Sequence, residues 1–357
     1  MDRGGRRATN PTVTGALAVL AVLAVLIVLV WGILARHGGP DRASDAPGRG
    51  TPPAATPSAS PLPSRSAVGE RSPFTGLPQD RAHPVLAVKI DNVGPARPQT
   101  GIDRADLVYV EEVEAGLTRI LAVFSGPPAD LPDRVGPVRS ARESDLELLR
   151  QFGRPALAFS GAQSRLLPVI AAAPVHDVSP AHAGGAYARD GSRPAPHNLY
   201  ASPARLLAAA PDASTAHDIG FRFGPAPSGG TAATTRTVRF PAGSAGLRWS
   251  AERQRWLVSF DGRPASATGS GQLGAPTVVI QYVTVRASRY HDRWGSISPY
   301  SETVGSGDAE VLRDGKAFRA HWSRPEADDG TRFTTGQGAP MAFARGPVWI
   351  VLAPRPS

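Results

Sequence analysis

No cysteine occurs among the 357 residues. That absence excludes a disulfide framework, a thiol nucleophile, a zinc ribbon and a cysteine-ligated iron–sulfur cluster. It also removes the thiol on which a membrane lipid could be carried. Lysine is nearly as scarce, with Lys89 and Lys316 the only two. Lys89 precedes Ile90 and Lys316 precedes Ala317, so neither completes the Gly-Lys-Ser/Thr of a P-loop. Leu86 and Arg313 stand three residues before them, which excludes the Ser-x-x-Lys of a penicillin-binding-type acyl-transferase. H-E-x-x-H and G-x-S-x-G are absent too, so neither a zincin nor a nucleophile-elbow hydrolase is encoded. The net charge of +9 therefore comes almost wholly from arginine, a planar fork suited to carboxylates and phosphates. The arginines are scattered without runs. They fit a general bias toward Arg, Ala, Gly and Pro, and also contact with anionic wall polymers or lipid headgroups.

What is present begins with one uncharged run at 12–34, TVTGALAVLAVLAVLIVLVWGIL. As a helix it is about 34 Å long, enough for a bilayer core of about 30 Å. Arg3, Arg6 and Arg7 precede it, so the positive-inside bias holds residues 1–11 in the cytoplasm and exports the rest. An uncleaved signal anchor is expected in preference to a signal peptide, whose apolar region is shorter. Residues 35–72 are Pro, Ser, Thr, Ala and Gly with scattered charge. They lack apolar periodicity and read as a disordered tether.

Order is expected from Pro73. Strands are predicted at 84–90 (PVLAVKI), 106–113 and 118–125, with further strand at 156–160. Helices are predicted at 143–152, capped by Ser140, around 163–173, and from Ser202-Pro203 to 211. This alternation predicts an α/β domain over 73–225. After the Gly/Pro/Ser/Thr stretch 224–235 strands dominate, at 238–240, 256–260, 277–285, 309–312, 317–322 and 347–352. Arg313-Asp314-Gly315-Lys316 marks a hairpin. The expected class is thus α+β overall, with a smaller all-β domain over 226–357.

Four strings carry a specific likeness: DNVGPARPQTGIDRADLVYVEEVEAGLTRILAVF (91–124), VGPVRSAR (135–142), RPAPHNLY (193–200) and VGSGDAEVLRDGKAFRAHWSR (304–324). Together they resemble the YerB-like family of bacterial envelope lipoproteins. The resemblance implies an α/β domain followed by a β-rich domain outside the cytoplasmic membrane, and no particular reaction. Members typically carry a lipobox cysteine. This chain has the run 12–34 in its place.

The candidate ligand site comprises Asp91, Asn92, Arg97, Gln99, Arg119, Arg139, Ser140, Arg142 and His197. Asp91 and Asn92 end a buried strand, where α/β sheets place ligands. Arg139 and Arg142 flank a predicted helix start, whose free N–H groups favour an anion. The competing reading is an internal arginine network tying Glu111, Glu112 and Glu114 to the loops. Glu112 and Glu114 also have the spacing of a carboxylate pair, roughly 7 Å along one strand face, and His197 is a candidate acid or base. His176, Asp177 and His182 match no trusted metal-ligand spacing. No metal, no cofactor and no nucleic acid are expected. The expected function is non-catalytic binding of a cell-envelope component, either peptidoglycan, another anionic polymer or a wall-assembly protein. The alternatives are a cell-wall hydrolase or transferase using Glu112, Glu114 or His197, and a purely structural envelope scaffold.

Overall fold

The computed structural model describes residues 70–292 and 294–356. The run 12–34 and most of the expected tether lie outside them. Among the described residues, no helix is long and apolar enough to cross a membrane.

One mixed sheet of eleven strands organises the molecule. Its N-terminal members are β1 (Leu86–Asp91), β2 (Leu107–Glu112), β3 (Thr118–Phe124), β4 (Ala156–Ala158) and β5 (His176–Asp177). The order runs β2-β3-β1-β4-β5, and β2 pairs on its other side with the C-terminal strand Val348–Pro354. That strand leads on to Thr277–Val283, Gly305–Arg313, Lys316–Arg324 and Arg332–Thr335. Leu107↔Val348 through Val110↔Val351 is a parallel register. The two stretches expected as separate domains thus share one sheet.

They also share both cores. On one face Val88, Ile90 and Ile120 pack in a cluster with Val238, Phe240, Phe260 and Val351. On the other, Ala87, Tyr109 and Leu121 cluster with Leu149, Phe152, Phe318 and Ile350. The first face gathers side chains from the antiparallel strands Thr235–Phe240, Gly243–Ser250 and Arg255–Phe260. Alternation along β1 explains the division, because Val88 and Ile90 point one way and Ala87, Lys89 and Asp91 the other.

Helix is shorter than expected. Among the described residues the α-helices are α1 (Glu143–Leu149), α2 (Leu167–Ala172), α3 (Pro180–Ala183) and α4 (Pro203–Ala208). The molecule is mostly sheet, so the α/β description of the first half is corrected to a mixed sheet with a few one- to two-turn helices. Proline explains part of this: Pro168 and Pro180 set helix starts, and Pro174 and Pro211 stand just beyond the ends of α2 and α4. The expected hairpin is present, with Arg313 opposite Lys316 and both turn residues at positive φ, Asp314 at 51° and Gly315 at 68°.

Candidate functional site

The sheet register aligns the first charges. Asp91 on β1 stands opposite Arg119 on β3, and Arg119 stands opposite Glu111 on β2. Three charged side chains therefore cross one face in a row, with Lys89 two residues behind Asp91 on the same face. Loop 135–142 and loop 193–198 close over this row. Arg139 Nε lies 2.9 Å from Asp91 Oδ2, and His197 Nδ1 lies 2.7 Å from the same oxygen. An ionised carboxylate only accepts, so the His197 proton sits on Nδ1 and Nε2 points away from Asp91.

Four cations and four carboxylates meet here, but they pair unevenly. Lys89, fully buried, takes two acids: Glu111, and Asp145 at 2.7 Å. Burial pushes Lys89 down to about 8 against the attraction of Asp145. Arg142 pairs with Glu114 and also donates to the carbonyls of Ser140 at 3.2 Å and Ala141 at 2.9 Å. Burial alone raises Glu114; the hydrogen bond and charge of Arg142, with help from Ser298, outweigh it and hold the carboxyl low. Arg139 takes Asp91. Arg119 is left without a carboxylate and donates only to the Ser140 carbonyl, at 3.2 Å. Burial, then the positive charge of Arg142, push Arg119 down to about 9, with Glu114 and Asp91 pulling the other way. Arg139 Nε is close to Asp91 but not aligned for a hydrogen bond, and its outer nitrogens likewise have no protein acceptor among the described residues.

The helix start is not an open anion site. Ser140 does not cap α1. Asp145 accepts the Arg142 backbone N–H at 2.6 Å, and α1 has only seven residues. Any anion here meets guanidinium groups instead of a helix dipole.

Asn92, Arg97 and Gln99 form a second network. Asn92 donates to Thr118 Oγ1 at 2.8 Å and accepts from Gln99 at 3.0 Å and Arg97 at 3.2 Å. Arg97 continues to Asp261 at 2.9 Å, its guanidinium 5.1 Å from the Phe260 ring centre. Through the Arg97 side chain and the Gln99 backbone carbonyl, which accepts from Thr268 N–H at 2.7 Å, this network joins the loop after β1 to the C-terminal half.

The carboxylate pair is corrected. β2 ends at Glu112, and Glu114 begins a tight turn that carries it to Arg142 and Ser298. Glu111 bonds Ser144 at 3.2 Å, so its neighbour Glu112 points to the other side of the sheet. Glu112 has no hydrogen-bond partner among the described residues, and burial raises its pKa. The two acids therefore do not face a common space. His176 contacts the Asp212 carbonyl at 3.1 Å, while His182 pairs with Asp177 at 3.2 Å.

Sequence reasoning missed Lys89, Ser144, Asp145 and Ser298. A signal for the first was present: one of only two lysines sits in the middle of an apolar strand, a position that demands buried acids.

Two family models match the chain, described as the N-terminal and C-terminal domains of a protein of unknown function (DUF3048), over residues 74–216 and 236–350. The "Putative lipoprotein YerB" of Bacillus subtilis (strain 168) is 41% identical over 86 residues, 23% of this chain and 25% of that protein. The match thus spans about a quarter of that relative's length. A crystal structure of the YerB protein from Bacillus subtilis matches with a TM-score of 0.65 at 22% identity, covering 80% of this chain and 97% of that one. At that identity the likeness is one of fold.

Proposed function

We propose that this chain, which belongs to the DUF3048 family, is a membrane-anchored extracytoplasmic protein that binds an anionic envelope component through Arg119 and Arg139. One observation carries the reading. Two guanidinium groups stand side by side with donors uncommitted to protein, and one of them has no carboxylate of its own. An incoming carboxylate or phosphate offsets the burial and the repulsion from Arg142 that depress Arg119, and takes up bidentate donors. The relative's name supports placement outside the membrane. With no cysteine to carry a lipid, the run 12–34 supplies the anchor. Arg142 is assigned to holding Glu114 and the loop, and Asn92, Arg97 and Gln99 to joining the two halves.

The experiment is a pulldown of the full chain from detergent-solubilised membranes, with anionic wall fragments as competitor. The fragments are expected to displace the captured partner from the wild type, and Arg119→Gln to abolish capture. Capture that is indifferent to both overturns the reading.

One observation favours a second reading. The Asp91–His197 contact orients an imidazole with Nε2 unpartnered, the arrangement of a carboxylate-held general base. Turnover of wall polymer that disappears in His197→Gln, with binding retained, would select that reading.

A further inference from the structure

A cleft of about 530 Å³ opens away from the Asp91 cluster, beside the loop 266–274. Arg104 reaches its lining from the turn Ile102–Arg104, and Arg253 and Arg255 from the start of the strand Arg255–Phe260. Trp349, on the C-terminal strand, also lines it. None of the three arginine side chains has a hydrogen-bond or carboxylate partner among the described residues. Asp103 is the one carboxylate on the lining, leaving three positive charges against one negative.

The loop Gly269-Ser270-Gly271-Gln272-Leu273-Gly274 lines the same cleft. Its G-x-G-x-x-G spacing matches the dinucleotide-binding pattern, but the elements that follow are the strands Gly274–Ala275 and Thr277–Val283. Without a helix after the last glycine, the dinucleotide reading fails. The glycines have local reasons. Gly269 turns at φ +77°, and a Cβ on Gly274 would come within 2.4 Å of the Trp256 carbonyl oxygen. A Cβ on Gly271 would stand 3.9 Å from Arg253 Nη1, so bare backbone borders that guanidinium. Among the described residues the N–H groups of Gly269 and Gly271 donate to no protein acceptor.

We propose that this cleft is a second anion site, built for a chain of phosphate groups. Guanidinium forks from two elements and free backbone N–H groups together suit the several oxygens of tetrahedral phosphate better than a single planar carboxylate. The volume exceeds what one phosphate fills, and three unpaired arginines need more than one anion to satisfy them. Its source is a phosphodiester polymer or inorganic polyphosphate. The loop is tied to the Asn92–Gln99 network, because Thr268 N–H donates to the Gln99 carbonyl at 2.7 Å.

The test is calorimetric titration of the full chain in detergent, at fixed ionic strength, with three probes: sodium tripolyphosphate, a glycerol-phosphate oligomer and polyglutamate of matched charge. Saturable binding of at least one phosphate probe is expected, tighter than polyglutamate, and the stronger of the two identifies the source. The double variant Arg253→Gln/Arg255→Gln is expected to weaken it at least about tenfold. Arg239→Gln/Arg248→Gln, which removes equal charge from exposed positions outside the cleft, is expected to leave it within about threefold. Arg104→Gln reads the same site from a separate element if the double variant is unstable. No saturable binding, equal weakening by both double variants, or equal affinity for polyglutamate each overturns the proposal.

Discussion

Lys89 shows how a single residue sets the site's charge pattern. By taking both Glu111 and Asp145 it deprives Arg119 of its cross-strand acid, and the surplus cation appears one row further out. A buried cation of this kind is retained only while paired. Glu112 is the opposite case, an acid without a partner whose pKa is raised by burial. The folded state holds that proton more tightly than the unfolded chain, so stability falls as pH rises from the ordinary glutamate value of 4.5 through the folded value. Glu112→Gln is therefore expected to raise the thermal midpoint at pH 7, and the gain is expected to vanish below pH 4.5, where both states are protonated. Melting curves at the two pH values check this; a variant less stable than wild type at pH 7 contradicts it.

At the scale of elements, local patterns were legible and distant pairings were not. The apolar runs 84–90, 106–113 and 118–125 lie where β1, β2 and β3 form, because alternation and β-branched residues act within each segment. The Asp-Gly hairpin was equally readable from its turn chemistry. Nothing local announces that β2 pairs in parallel with Val348–Pro354, more than two hundred residues later in the sequence, so a change in composition at 224–235 read as a boundary between independent cores. The site was half legible: Asp91, Arg139 and His197 do converge, while Arg142, Asn92 and Gln99 turn to partners within the N-terminal half and Arg97 to Asp261, supplied by distant packing. The C-terminal strand contributes Trp349, Ile350, Val351 and Leu352, each at most 3% exposed. Losing four such side chains forfeits roughly 6–12 kcal/mol of burial at about 1.5–3 kcal/mol each, comparable to the whole stability of a typical domain at about 5–15 kcal/mol. A chain ending at 346 is expected to lack a cooperative transition, with the exposed β2 edge promoting aggregation. A two-state melt for that chain, observed by circular dichroism, contradicts the shared-sheet account.

For the whole molecule, the features combine into a basic, cysteine-free protein with two places where a guanidinium group has no carboxylate of its own. Only one of these, the Arg119–Arg139 pair, is proposed to hold the envelope component. The most direct measurement compares co-sedimentation with anionic wall polymer for the wild type, Arg139→Lys and Arg142→Lys, with thermal midpoints taken on the same preparations. Lysine keeps the charge and loses the fork. Arg139→Lys is predicted to melt with the wild type and to bind at least tenfold more weakly, about 1.4 kcal/mol. Arg142→Lys, which weakens a buried pair with Glu114, is predicted to lose about 3 kcal/mol of stability or more, while its folded fraction binds normally. If Arg139→Lys instead melts early and its folded protein binds as tightly as the wild type, these arginines serve the fold alone and the site is misassigned.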